Sequence, residues 1–246
     1  VESTNLGIST RLFDLVDVEV ELYNKNTKDM LMEIPYSYAT GFSGGYGNIG
    51  NMNNKGVDVT LGFNVISTKD MTFNVSGTFN YNKNEITKLF GGRDEFVVPN
   101  TGIKYQVGKP LGEFYYTRWV GVDPATGKQL WLDKDDNVTS VYSDDDATFT
   151  GKQRYAPVAA GLQLDFAWKD LSVSANFSGI FGKWTISNTR YFIENSANAA
   201  DQNQTVAMLN MWQKPGDITT IPAAGEPIEF DTHLLEKASF MRLKNL

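Results

Sequence analysis

The feature that most restricts this chain is a two-residue rhythm of apolar and polar side chains that returns along its length. Consecutive side chains of a β-strand point to opposite faces, so this period marks strands whose two faces meet unlike surroundings. In Val16-Asp17-Val18-Glu19-Val20-Glu21-Leu22-Tyr23 the even positions are apolar and the odd ones mostly polar. Val57, Val59, Leu61, Phe63 and Val65 repeat the pattern, and so do Met71, Phe73, Val75, Gly77, Phe79 and Tyr81. Later come Val158 to Trp168, with Leu162, Leu164 and Phe166 between, and Leu171 to Phe181, with Val173 and Phe177 between. Incomplete strands are expected over Thr4 to Arg11 and from Ala238 onward, for a total of about seven.

The connections alternate in length. Leu12 to Leu15, Ile66 to Asp70 and Lys169-Asp170 are tight, whereas Asn24 to Lys55, Lys83 to Pro157 and Gly182 to Lys237 are long. In an antiparallel sheet this puts every tight turn at one end and every long loop at the other, as in transmembrane barrels. Several stretches reach the roughly 9–11 residues that a tilted membrane strand needs. Phe13 and Trp168 fall near one end, and Tyr23, Tyr81, Tyr155 and Trp184 near the other, as interfacial girdles would require. The fold class expected is therefore all-β, an antiparallel transmembrane β-barrel fragment with long extracellular loops. A β-sandwich, with the apolar stripes facing a second sheet, is the alternative.

Composition narrows the chemistry. The net charge of −7 argues against a surface built to neutralise nucleic-acid phosphates. Cysteine is absent, which removes disulfides, thiolate catalysis and thiolate metal ligation, and His233 is the sole histidine. No apolar run approaches the roughly 18 residues of a helical membrane span. Val1 to Thr10 lack the basic and apolar regions of a signal peptide.

The longest loop has internal order. Glu113 to Val120 has strand propensity and Lys128 to Leu132 can return against it, joined by the turn Asp123-Pro124-Ala125-Thr126-Gly127. Asp133, Asp135 and Asn137 have the first-third-fifth spacing of a calcium loop, but Val138 replaces the expected glycine and no glutamate closes the loop, so no metal is assigned. Asp144-Asp145-Asp146 reads as a solvated face. The glycines of Gly41-Phe42-Ser43-Gly44-Gly45-Tyr46-Gly47-Asn48 lack the lysine-serine context of a phosphate loop.

A series of short words accompanies these boundaries: Thr4-Asn5-Leu6-Gly7, Tyr23-Asn24-Lys25-Asn26-Thr27, Ile34-Pro35, Gly47-Asn48-Ile49-Gly50 and Asn53-Asn54-Lys55-Gly56-Val57-Asp58. Gly108-Lys109-Pro110-Leu111-Gly112, Gly121 to Gly127, Trp212-Gln213-Lys214-Pro215-Gly216-Asp217 and Ser239 to Leu246 follow. Their order resembles the C-terminal barrel portion of SusC/RagA-type TonB-dependent outer-membrane transporters. The resemblance implies a partial barrel over the whole chain, without the N-terminal plug and final strands. It further implies an outer-membrane location, contact with outer-membrane lipid, and import of glycans or peptides with TonB-derived energy. The partners it implies are the TonB complex, reached through a region absent here, and a SusD-like surface lipoprotein. No cofactor, nucleic acid or catalytic residue is expected, and the alternative function is a soluble carbohydrate-binding β-sandwich module.

On the alternation, Asp17, Glu19, Glu21, Asp58, Asn74, Asn80, Gln163, Asp165 and Asn176 are expected to face a lumen or plug. Tyr46, Tyr115, Trp119 and Trp131 are the candidates for cargo or lid contact, because rigid aromatic surfaces stack on sugars or bury against proteins.

Overall fold

A computed structural model describes residues 1–36, 38–42, 44–98 and 101–246, with the backbone alone described at 32–35, 38, 48 and 49. Ser43, within the first glycine-rich word, lies outside the described residues. The chain opens with four long strands, β1 (Glu2–Leu12), β2 (Val16–Pro35), β3 (Gly44–Ser67) and β4 (Met71–Lys88). A first insertion carries β5 (Glu95–Val98), β6 (Ile103–Gln106), β7 (Glu113–Tyr116), β8 (Arg118–Val122), β9 (Gln129–Leu132), β10 (Val138–Thr139) and β11 (Thr148–Gln153). The long strands β12 (Val158–Trp168) and β13 (Leu171–Phe181) follow. A second insertion holds β14 (Trp184–Ile186), helix α1 (Asn188–Ile193) and β15 (Leu235–Lys237), and β16 (Phe240–Asn245) ends the chain.

The long strands form one antiparallel sheet in the order β1-β2-β3-β4-β12-β13-β16. Its tight turns have local causes. Phe13 and Asp14 both take positive φ, 54° and 56°, within the three-residue connection Phe13–Leu15 that reverses β1 into β2. At the same end Lys169, at the β12–β13 turn, donates its backbone N–H to the Asp70 carbonyl at 2.8 Å and ties two turns together.

Register decides which side chains share a face. Asp17, Gly62, Ser76, Gln163 and Asn176 lie in one cross-strand row, and Glu21, Asp58 and Asn80 in another. Glu19 stands opposite Thr60, and Asp165 opposite Asn74. The interleaved rows are apolar: Val18, Leu61, Gly77, Leu162 and Phe177 in one, and Leu22, Val57, Tyr81, Val158 and Phe181 in another. Among the described residues that apolar face stays largely uncovered. Leu6, Ile8, Leu22, Phe63, Phe79, Tyr81, Phe181 and Leu243 all remain exposed.

The core sits elsewhere. Its apolar members begin with Ile86 at the end of β4 and continue through Leu89, Ile103, Phe114, Tyr116, Val122 and Trp131 to Met208, Ile221, Ile228, Leu234 and Leu235. Apart from Ile86, these residues belong to the two insertions, which fold on each other at the end of the sheet remote from the tight turns. Burying such aromatic and aliphatic side chains contributes roughly 1.5–3 kcal/mol apiece, so the insertions carry a hydrophobic stabilisation that the sheet faces lack.

This architecture corrects the expected transmembrane barrel. Among the described residues β1 pairs with β2 alone and β16 with β13 alone, so the seven long strands of this chain form an open sheet and not a closed barrel. The membrane-spanning strands, the outer-membrane location and the lipid contact, expected from alternation, strand length and the resemblance, are withdrawn with the barrel. No helix among the described residues is long and apolar enough to cross a membrane. The physical reason for the misreading is that alternation reports two unlike faces, and neither closure nor the identity of what covers a face.

The first long loop is also corrected. β2 and β3 continue as a ladder as far as Pro35 and Gly44, well past the expected strand ends at Tyr23 and Gly56. The polar run Asn24-Lys25-Asn26-Thr27 shows no alternation because neither face of the ladder is apolar there. Asn53 supports it instead, donating to the Asn24 and Asn26 side chains at 2.6 and 2.7 Å.

Candidate ligand-binding site

The two insertions enclose a cavity of about 770 Å³ between them. Its walls come from β5 and β6, from the Tyr115-Tyr116-Thr117 segment, from Tyr142 and Asp144, and from Ile186, Asn188, Glu229 and Phe230 of the second insertion. One glycine makes the wall possible. Gly102 has a φ of +60°, and a Cβ there would stand 2.0 Å from the Tyr116 ring, so only glycine lets the ring lie against the β5–β6 turn.

The aromatic groups are held from behind. Tyr116 stacks on Phe114, with centroids 6.1 Å apart, and Tyr115 meets Phe149 edge-on at 5.2 Å with the Lys104 ammonium 4.9 Å from its ring. Phe230 stacks on Tyr191 at 4.1 Å. The Tyr142 hydroxyl donates to Asp144 at 2.6 Å and lies 3.2 Å from the Phe230 carbonyl. Burial, followed by that bond to Asp144, pushes the Tyr142 hydroxyl well above the usual phenol range, so it stays a neutral donor.

The polar lining is acidic. Asp144 starts a 3-10 turn in which Ser143 Oγ accepts the Asp145 N–H, and the Thr117 hydroxyl donates to the Ser143 carbonyl at 2.7 Å. Burial, with further contributions from Asp144 and Asp231, raises Glu229 above the ordinary carboxylate range. No lysine, arginine or histidine lines the cavity, and neither Asp144 nor Glu229 enters an ion pair among the described residues.

Two clasps hold the insertions around this space. The buried Trp131 indole donates to Asp231 at 2.7 Å, and the other Asp231 oxygen accepts the His233 backbone N–H at 2.8 Å. Trp119 lies over the His233 ring at 5.1 Å, and its backbone N–H donates to the Thr232 hydroxyl. The second clasp joins two of the sequence words. Trp212 Nε1 and the Gly216 N–H both donate to the Pro124 carbonyl, at 3.0 and 2.9 Å, and the Ala223 N–H donates to the Gly127 carbonyl. Gly127 has a φ of +75°, and a Cβ on it would come within 2.5 Å of the Trp212 ring.

The sequence candidates thus separate. Tyr115 lines the cavity, Trp119 and Trp131 form the first clasp, and Tyr46 is exposed on β3, apart from the cavity. The polar candidates Asp17, Glu19, Glu21, Asp58, Asn74, Asn80, Gln163, Asp165 and Asn176 share one face of the large sheet, with bonds from Arg11 to Asp17 and from Ser174 to Asp165 at 2.6 Å each. The Asp133 carboxylate accepts the Asp135 and Asn137 backbone N–H groups at 2.8 and 2.9 Å, which engages it in closing its own turn. Asp144, read as part of a solvated acidic run, is exposed and also lines the cavity. Tyr142, Glu229 and Phe230 lack any periodic signal because they sit in irregular segments that only the folded insertions bring together.

No protein-family model matches the chain. Among curated proteins it is similar to TonB-dependent receptor P3 of Formosa agariphila, 26% identical over 98% of this chain and 26% of that protein. It is also similar to TonB-dependent receptor SusC of Bacteroides thetaiotaomicron, 23% identical over 92% of this chain and 23% of that protein. Among solved structures, the RagAB peptide transporter is 41% identical over 98% of this chain and 28% of the matched chain, with a TM-score of 0.91. The RagAB peptide importer in its open-open state agrees at a TM-score of 0.88. The chain spans about a quarter of the length of these curated relatives.

Homology to the RagA and SusC proteins therefore holds, whereas the description of these residues as a barrel portion does not, because they form an open sheet carrying a folded pair of insertions. The chain is not an enzyme: its relatives are receptors and transporters, a non-catalytic class. The reading as part of an outer-membrane import pore is withdrawn together with the barrel.

Proposed function

We propose that this chain is a ligand-binding module and that the cavity between its insertions takes a carbohydrate-class ligand. The observation that carries the reading is the lining itself, where the Tyr115, Tyr116, Tyr142 and Phe230 rings stand beside the Asp144, Glu229 and Asn188 side chains. A pocket of this size has apolar walls for contact area and a few polar groups to fix orientation. Sugar rings offer one apolar face to an aromatic ring, and their hydroxyls donate to carboxylates. A peptide is the second reading, favoured by the 41% identity to a peptide transporter.

At the coarse level of partner class, the homology supports TonB, a SusD-like lipoprotein and a cargo. Tyr46, exposed on β3, is the proposed contact to such a lid, and the acidic and amide face of the large sheet is the proposed hydrated or plug-facing side. Saturation-transfer NMR with soluble oligosaccharides and with short peptides tests the cavity. Transfer to one class, lost in Tyr115→Ala and kept in Tyr46→Ala, is the expected result. Equal transfer in wild type and Tyr115→Ala would remove the cavity from the account.

A further inference from the structure

We infer that the seam between the insertions around Trp184 is an interaction surface for an anionic saccharide, with Lys152, Arg154 and Lys237 as the groups that meet its carboxylates or sulfates. The inference deepens the carbohydrate reading above, on which it rests, and adds the charge of the ligand. Strand register brings these side chains together. A parallel bridge joins Gln153, at the end of β11, to Lys183, and Trp184 of β14 stands opposite Lys237 of β15. Side chains alternate along a strand, so Lys152, Arg154, Trp184 and Lys237 come to one face. The Lys152 and Lys237 ammonium groups lie 4.4 and 5.9 Å from the centre of the Trp184 ring, and the Arg154 guanidinium lies 5.6 Å from that of Phe114.

Two observations point to an anionic ligand. The first is uncompensated charge. Lys152 and Arg154 are half-buried, and none of the three cations enters an ion pair among the described residues, although the chain carries a net charge of −7. The acids that neighbour them along the strands are engaged elsewhere: Glu236 pairs with Arg190 at 3.3 Å, and Glu113, opposite Gln153, accepts the Gly151 N–H at 2.9 Å. The indole holds two ammonium groups near one ring, where they repel each other and an anion would relieve the repulsion. The second observation is continuity with the cavity. Tyr116 and Ile186 line it, and two residues before each, on the same strand faces, stand Phe114 and Trp184. All four pack in one cluster with Leu235. A saccharide seated against Tyr116 and Ile186 therefore continues along the same wall to the three cations. Their side chains offer donors only, which suits sulfates and carboxylates, whereas an extended peptide brings backbone N–H groups that need acceptors.

The whole protein is tested in mild detergent, because the apolar sheet rows are exposed, and at low ionic strength, because salt screens surface charge. Calorimetry compares an oligogalacturonate, a sulfated galactose oligomer, a neutral galactose oligomer of equal length and a glutamate-rich peptide. The expected result is that an anionic saccharide binds about ten-fold or more tightly than the neutral one, and which of the two does so separates uronate from sulfate. In the double variant Lys152→Gln/Lys237→Gln, whose changes lie outside the buried core, that preference should fall to about two-fold or less. The double variant Lys25→Gln/Lys55→Gln removes the same charge from exposed positions of the β2–β3 ladder and should keep the preference. Equal affinity for charged and neutral saccharides, or a preference that falls equally in the two double variants or in neither, overturns the seam. Binding of none of the four probes overturns it as well, and tightest binding of the peptide overturns the choice of a saccharide. The Tyr115-dependent saturation transfer described above decides the cavity reading separately, so each can fail alone.

Discussion

The large sheet and the paired insertions stabilise themselves in opposite ways. The sheet has regular hydrogen-bonded ladders and clean alternation, yet among the described residues none of its apolar side chains before Ile86 is buried. The insertions have short strands, 3-10 turns and irregular connections, yet they contain the buried core and the cavity. Regularity of backbone and possession of a core are therefore separable. The sheet supplies a frame, while packing free energy is concentrated where the sequence looks least ordered.

The sharpest way to break this contrast is a pair of truncations. Trp131→Ala removes a 5%-exposed indole and leaves the buried Asp231 carboxylate without its donor, so a loss of about 3–5 kcal/mol is expected. Hydrogen exchange should register it as lost protection across Gln129–Leu132 and Leu235–Lys237, with the Val57–Val65 ladder unchanged. Phe63→Ala, at a site 38% exposed on the open apolar face, is expected to cost about 1 kcal/mol or less. A Phe63 cost equal to that of Trp131 would show that another surface covers the sheet in the working molecule.

The clasp between the insertions comes next in size. Gly127→Ala places a Cβ against the Trp212 ring and Ala223 at a residue with φ of +75°, so backbone strain and overpacking act together. About 1–3 kcal/mol is expected. Iodide quenching of tryptophan fluorescence should rise as Trp212 loosens, and Trp212→Phe, which keeps a ring but drops the bond to Pro124, should show a smaller rise. Unchanged quenching in Gly127→Ala would mean that the two insertions are held by the Asp231 clasp alone.

What could be read from the sequence divides along the same line as the stability. Val57 to Val65 announced its strand because its two faces meet different surroundings, and the parity it implied is the parity of the observed rows. Closure could not be read, since the same alternation serves an open sheet. Glu113 to Val120 looked like one strand but breaks at Thr117, whose carbonyl accepts the Thr232 N–H and whose hydroxyl bonds Ser143, so the chain passes from one small sheet to another there. The turn at Asp123 to Gly127 was legible from its proline and glycine, but its role as the seat of Trp212 needs a partner 88 residues away. Glu229 carried no signal at all, because its character comes from neighbours brought in by folding.

Glu229 yields a smaller effect that can be separated by sign. Its carboxyl is raised above the ordinary value of 4.5 in the fold, so between those two values the folded state holds a proton that the unfolded chain has released. Stability from this group is therefore present at low pH and lost as pH rises through that window. Thermal unfolding over a pH series should show a steeper fall through that window in wild type than in Glu229→Gln. An equal fall in the two would place the titration on another group.

The smallest expected effect concerns the polar stretch Asn24–Thr27 of the β2–β3 ladder. Asn53 donates to two asparagines across the ladder, Asn24 and Asn26, in the stretch where alternation gives out. Exposed bonds of this kind exchange with water at little net cost, so Asn53→Ala should lose about 0.5 kcal/mol. That is too small for a melting curve but visible as faster amide exchange confined to Asn24–Thr27, with Val18 and Val20 as internal controls in the alternating part of the same strand. Confined acceleration would mean that side-chain bonds between strands hold the ladder where hydrophobic contrast is missing. No acceleration would mean that the backbone ladder suffices, and the difference between alternating and polar ladder would then lie only in their faces.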